Sequence, residues 1–236
     1  MTATLGSLSR RIAMLVIAAV AAGLPLERAD ARAAHHRIGV RSTTHVSYQI
    51  YLLKGFADVF STGLDFLQTK LSARGITAEV HSHAEWDQLA DHAIEKWRGG
   101  AHGPIIIIGH SFGADAAVRM ADKVGAAGVP VALVVGFSLT ETLPANGNVA
   151  RAITYYQSNS AWHGQIIRGA GFHGMLETVD LAKAPGVDHF NIEKMDSLHS
   201  ATIARVLSLV STHARAGGHS PEARAAGSDK AAATEP

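Results

Sequence analysis

Along the chain between residues 45 and 138 the spacing of apolar positions switches back and forth between strand and helix periods. "HVSYQIYLLKG" (45–55) is rich in β-formers, alternates in part and closes on a glycine, which predicts a strand. Phe60, Leu64, Leu67 and Leu71 then recur at helical spacing, and the pattern stops before Gly75. Ser61 or Thr62 stands where a helix cap belongs, with Asp65 three residues after Thr62. "TAEVHSH" (77–83) predicts a short strand. Trp86, Leu89, Ala90, Ala93 and Trp97 mark one face of the next helix, which Gly99 and Gly100 end. A strand over 104–109, a helix over 112–125 and the strand "PVALVVGFS" (130–138) complete the run.

The order is β-α-β-α-β-α-β. Residues 105–108 are four isoleucines in a row. A strand that is apolar on both faces is one covered by helices on both sides, as in a parallel sheet. The pattern therefore predicts an α/β fold with a mostly parallel central sheet flanked by helices on both faces. After Pro144 the signals weaken. "AITYYQS" (152–158) and "GQIIRG" (164–169) read as short strands. Ile203, Val206, Leu207 and Val210 give a final helix within "SLHSATIARVLSLVSTHA".

The two ends differ from this middle. Arg10 and Arg11 precede an apolar run over 12–24, short for crossing a bilayer, and "ADA" (29–31) and "ARA" (31–33) are small-x-small cleavage sites. Residues 1–33 thus read as a cleaved signal peptide, with an uncleaved membrane anchor as the alternative, and they imply a periplasmic or secreted product. From Ala214 onward the chain has no Val, Ile, Leu or Phe. Such a segment cannot bury enough apolar surface to offset its ordering entropy, so 214–236 reads as a disordered tail. The folded domain is expected over 38–213.

Composition narrows the chemistry. The 236 residues are 47% hydrophobic, enough to bury one domain core. A formal charge of +1 gives no electrostatic case for nucleic acid or an anionic membrane surface. Cysteine is absent, which excludes disulfides, thiolate metal sites and a cysteine nucleophile. "HSH" (81–83) and "HH" (35–36) lack further ligands at metal spacing, and no phosphate loop or dinucleotide fingerprint occurs. No metal or organic cofactor is expected. The sequence does not speak to oligomeric state.

"PIIIIGHSFGADAAVRMA" (104–121) carries the strongest chemical signal. Ser111 sits between Gly109 and Gly113 where a buried strand gives way to a helix. A turn that tight needs residues without bulk on either side of the serine. It also lifts the hydroxyl to the carboxyl edge of the sheet, beside the N–H of the next residue and the positive end of the helix. Ala114, Ala116 and Ala117 keep the first helical turns thin. Ser111 is the candidate nucleophile; the alternative is an ordinary glycine-rich βα turn.

With these residues the chain resembles the α/β-hydrolase superfamily, and more closely its small lipase- and thioesterase-like members, over roughly 45–212. "GHSFGADAA" is the most specific element; "YLLKGFADVFSTGLDFLQTKL" resembles the first strand, oxyanion loop and helix, and "GVDHFNIEK" followed by "LH" resembles the histidine loop and last helix. The resemblance implies a triad in the order serine, acid, histidine. His189, on a loop before the last helix, is the expected base. His199 falls inside that helix, and His163 and His173 lie earlier. The acid departs from the pattern, because the place where an aspartate belongs is Ser138. Glu141, three residues on, is the leading candidate, with Asp180 next and Asp188 last. Should no carboxylate reach His189, the Ser138 hydroxyl could hold the imidazole. The oxyanion hole is expected from the N–H groups of Phe56 and Phe112, whose rings would wall an acyl pocket or else be plain core.

The function expected is an exported serine hydrolase that cleaves a small-molecule carboxylic ester or thioester through an acyl-enzyme. The alternatives are a non-catalytic binding protein of the same fold, since the expected acid is missing, and acyl transfer to an acceptor other than water. About 50 residues separate Ser138 from His189, which leaves room for a small lid or none. Export favours a periplasmic ester over cytoplasmic carrier thioesters.

Overall fold

The computed structural model describes residues 47–56 and 61–217. The expected signal peptide, most of the expected tail and Phe60 lie outside the described residues. Six strands form one sheet: β1 (Gln49–Lys54), β2 (Glu79–Ser82), β3 (Ile105–His110), β4 (Leu133–Phe137), β6 (Arg151–Tyr156) and β8 (Met175–Asp180). Their order is β2-β1-β3-β4-β6-β8, and every pairing is parallel. Two short strands, β5 (Leu143–Ala145) and β7 (Ile166–Arg168), pair with each other in a separate parallel ribbon. The helices are α1 (Thr62–Ser72), α2 (Trp86–Arg98), α3 (Phe112–Ala126) and α4 (Asp196–Gly217). This is an α/β-hydrolase-like fold with little or no lid.

Alternation along the strands explains the layers. Tyr51, Leu53, Ile105, Ile107 and Val134 face one way and pack on α2 and α3. Ile50, Leu52, Ile106, Ile108 and Val135 face the other way and pack on α1 and α4. All four isoleucines of β3 are fully buried. Leu64, Leu67 and Leu71 of α1 and Ile203, Val206 and Val210 of α4 are the faces their spacing predicted.

Three features differ from the sequence expectation. β8 (sequence MLETVD) was not anticipated, because it is half exposed and carries no apolar run. The links from β4 to β6 and from β6 to β8 contain no helix; β5 and β7 lie in them, and Ala145, Ile166 and Phe172 pack into the α3 face where a helix would otherwise sit. Parallel strands need a crossover of this length, and an extended ribbon that pairs with itself satisfies its backbone as a helix would. Finally, α4 runs on through 214–216 to Gly217 rather than ending at 213.

The connectivity fixes where a site can form. From β1 the chain moves outward to β2, then returns across to β3 and proceeds the other way. The carboxyl ends of β1 and β3 therefore flank a crevice, the place where open α/β sheets bind ligands.

Candidate active site

Ser111 follows β3 in that crevice, at the N-cap position of α3, with φ 58° and ψ −130°, a conformation non-glycine residues rarely adopt. The flanking glycines are sterically required. A Cβ on Gly109 would lie 2.0 Å from the Gly113 carbonyl oxygen, and one on Gly113 would lie 1.9 Å from that of Leu53. The Ser111 N–H continues the sheet ladder to the Phe137 carbonyl at 3.0 Å. Phe112 opens α3, where the first N–H groups have no intrahelical acceptor. Gly55 follows β1 and packs against Ser111, since a Cβ on it would stand 3.0 Å from the Ser111 Cβ. Phe56 is next in the chain. Both phenylalanines are solvent-facing, 66% and 45% exposed, so neither is core.

His189 reaches this point from the connection between β8 and α4. Its Nε2 lies 2.9 Å from Ser111 Oγ. Its Nδ1 lies 2.7 Å from the hydroxyl of Ser138. Ser138 follows β4, next to β3 in the sheet, and its backbone too is left-handed, with φ 50°. Among the described residues, the two non-glycine positions with positive φ are the two serines that hold the imidazole. Burial pushes the His189 pKa below the ordinary value, with the charge of Asp188 opposing. The ring is therefore neutral near pH 7 and free to accept a proton.

The structure does not bring the expected acids to His189. Asp115 of α3 is buried and holds the loop after β4: it accepts the N–H groups of Thr140 at 3.0 Å and Glu141 at 3.3 Å, and the Thr140 hydroxyl. That pins the backbone of Glu141 on α3 and turns its side chain outward, where it pairs with Arg119 at 2.9 Å. Asp180 ends β8, two strands from β4, and its exposed carboxylate accepts the Ser158 and Ala182 N–H groups. Asp188 accepts the Phe190 N–H at 2.8 Å. His199, in the first turn of α4, is buried with its Nε2–H on the Glu193 carbonyl, and His163 and His173 are exposed. His81 of the "HSH" stretch pairs with Glu79 and Glu85. Among the described residues no group of three ligating side chains could hold a metal ion.

A second histidine, unforeseen from sequence, ties the site together. His110 is 1% exposed and burial pushes its pKa down to about 4, so it is neutral. Its Nε2–H donates to the carbonyl of His189 at 2.7 Å, which leaves Nδ1 to accept from the Ser61 hydroxyl at 2.8 Å. Ser61 Oγ in turn accepts the Gly55 N–H at 2.9 Å. One directional chain thus joins the turn after β1 to the histidine loop. It also explains why Ser61, at the N-cap position of α1, makes no side-chain cap: its oxygen is committed elsewhere. The start of α1 instead meets Glu193, whose carboxylate is fully buried against Gly63 and pushed up to about 7 by that burial. The sequence signal for His110 was present, a polar residue closing an apolar strand beside the serine.

Aromatic rings frame the opening. Trp162, on the link between β6 and β8, lies over the imidazole with centroids 4.4 Å apart, and Phe190 meets both rings edge-on. Gln157, Asn159, Ser160, Trp162, Val187 and Phe190 line a cavity of about 350 Å³ beside His189.

No protein-family model and no curated protein matches the chain. Solved structures do. A protein assigned to the α/β superfamily of hydrolases from Xanthomonas campestris pv. campestris is 15% identical, over 69% of this chain and 98% of its own, with a TM-score of 0.40. The pyrethroid hydrolase PytH is 11% identical, over 69% and 99%, with a TM-score of 0.43. The type II thioesterase BorB from the borrelidin biosynthetic cluster is 14% identical, over 67% and 92%, with a TM-score of 0.39. The chain has an α/β-hydrolase-like fold by its own sheet order, with Ser111, His189 and Ser138 joined at the carboxyl edge of the sheet.

Proposed function

We propose that the protein is an exported serine hydrolase of small-molecule esters or thioesters. The observation that carries this reading is the unbroken line from Ser111 Oγ through both ring nitrogens of His189 to Ser138 Oγ, at 2.9 and 2.7 Å. Ser111 Oγ attacks the acyl carbonyl carbon while its proton passes to His189 Nε2. The negative oxygen that forms is held by the N–H groups of Phe112 and Phe56. The C–O or C–S bond to the leaving group breaks, and the leaving oxygen or sulfur takes the proton from Nε2. Water then attacks the acyl-enzyme, giving one proton to His189, and Ser111 departs with that proton as the acid is released. The exposed rings of Phe56, Phe112, Trp162 and Phe190 favour a substrate with an apolar acyl or alcohol part.

A fluorophosphonate probe tests the reading. It should label the mature protein at Ser111, and Ser111→Ala should remove both the label and p-nitrophenyl ester hydrolysis. A folded protein that takes no label is a binding protein of this fold. Export has its own test: the secreted form should begin near Arg32 or Ala34 by mass spectrometry, and an intact Met1 in a soluble cytoplasmic product would refute it.

A further inference from the structure

Among the described residues no carboxylate hydrogen-bonds His189, yet the two tasks of a triad acid remain. One is to fix the proton on Nδ1 so that Nε2 is the base. The other is to stabilise the imidazolium once Nε2 is protonated. Ser138 alone does neither, because a hydroxyl can donate to Nδ1 as readily as it accepts, and it carries no charge.

Trp162 supplies what Ser138 lacks. Its backbone carbonyl lies 3.4 Å from Ser138 Oγ. A carbonyl only accepts, so the Ser138 O–H points at it and the oxygen is left to accept Nδ1–H. The indole covers the imidazole at 4.4 Å with the planes 32° apart, within the range where a cation is drawn to an aromatic face. The remaining titratable neighbours do not do this work. Asp188 makes no hydrogen bond to the ring and accepts the Phe190 N–H, so its charge favours the imidazolium only through space, while His110 is neutral, Lys194 bonds the Phe190 carbonyl, and the His163 ring bonds the Ser160 carbonyl.

We propose that Trp162 is a positioning residue that replaces the triad acid, its carbonyl setting the direction of the Ser138–His189 hydrogen bond and its indole face stabilising the imidazolium. This rests on the hydrolase reading for its role in turnover, though not for the stacking itself.

Two variants separate the ring face from simple cover. Trp162→Leu keeps apolar cover over His189 and removes the face; Trp162→Phe keeps a face. In the Leu variant kcat should fall by about tenfold with KM changed less, and the His189 titration followed by NMR should move down by roughly half a unit to one unit. Trp162→Phe should restore both most of the way. An unchanged kcat and titration in Trp162→Leu, or a titration that moves up as relief of burial would give, overturns the proposal. A measurement on the unaltered protein needs no catalysis. Protonated imidazole quenches a stacked indole, so tryptophan emission should drop as His189 takes up a proton, and His189→Gln or Trp162→Phe should remove that step. Absence of such a step overturns the stacking even if the probe labels Ser111. A step without any labelling leaves the stacking standing and removes the hydrolase reading.

Discussion

Ser111 and Ser138 stand at the ends of neighbouring strands, but the halves of the sheet behind them are built in different ways. On the Ser111 side, β1 and β3 are apolar on both faces and each crossover is a helix. On the other side, β6 and β8 are reached by extended links, and β8 is half exposed. The first half holds Ser111 by burial, with glycines packed on backbone. The second half holds Ser138 by a polar anchor, since Asp115 gathers the loop that follows it. Identical side chains thus reach one imidazole by two kinds of support.

The largest expected effect tests that contrast directly. Ile107→Ala empties a fully buried site in β3 and should cost about 2–5 kcal/mol of stability in denaturant unfolding. Met175→Ala, at an exposed position of β8, should stay within about 0.5 kcal/mol. Comparable costs at both positions would erase the distinction.

Next in size is Glu193, where the histidine loop packs on α1. Its folded pKa of about 7 lies above the ordinary carboxyl value, so the folded state holds the proton longer than the unfolded chain does. Stability is then greatest below about pH 4.5, falls as pH rises toward 7, and is level beyond, a loss of roughly 3 kcal/mol. Glu193→Gln should flatten that slope. Thermal melts of both proteins at acid and neutral pH measure it, and parallel slopes would show the carboxyl is not responsible.

Much of the Ser111 half was legible because its signals are local. Strand and helix periods and the two glycines about Ser111 follow from short-range geometry, while His189 was singled out by the resemblance of its segment to a histidine loop before the last helix. The Ser138 half was not, because its determinants are contacts between distant segments. Nothing near Glu141 announces that Asp115 will capture its backbone. Nothing near Trp162 announces a histidine 27 positions later under its ring. β8 was missed for a related reason, since an edge strand with one wet face has a weak hydrophobic pattern. The substitution of Ser138 for a carboxylate was visible, and so was the option that its hydroxyl would hold the imidazole. The leading expectation, Glu141, failed because reach along the chain was weighed without knowing which way the loop is pinned.

Ser138→Asp sharpens the comparison by giving the second half what the first half's chemistry lacks. The left-handed backbone at 138 suits aspartate. A carboxylate there should raise kcat for a p-nitrophenyl ester by about tenfold, well under the roughly 10⁴-fold a triad aspartate is worth in a site evolved around one. A flat or lowered kcat in a folded variant would mean that Ser138 and Trp162 already meet the need. The smallest effect is the most specific. Glu141→Ala should leave kcat within about twofold, because removing one exposed ion pair changes little. A large loss would restore Glu141 to the mechanism.

The chain of hydrogen bonds through His110 has a consequence in time. Its ring proton, on Nε2, is held by the carbonyl of His189 while Ser61 occupies the other ring nitrogen, with 1% of the residue exposed. Water reaches that proton when the turn after β1 or the histidine loop swings away. Its exchange with deuterium therefore runs as a clock on the opening of either wall of the site, readable one proton at a time in a resting molecule.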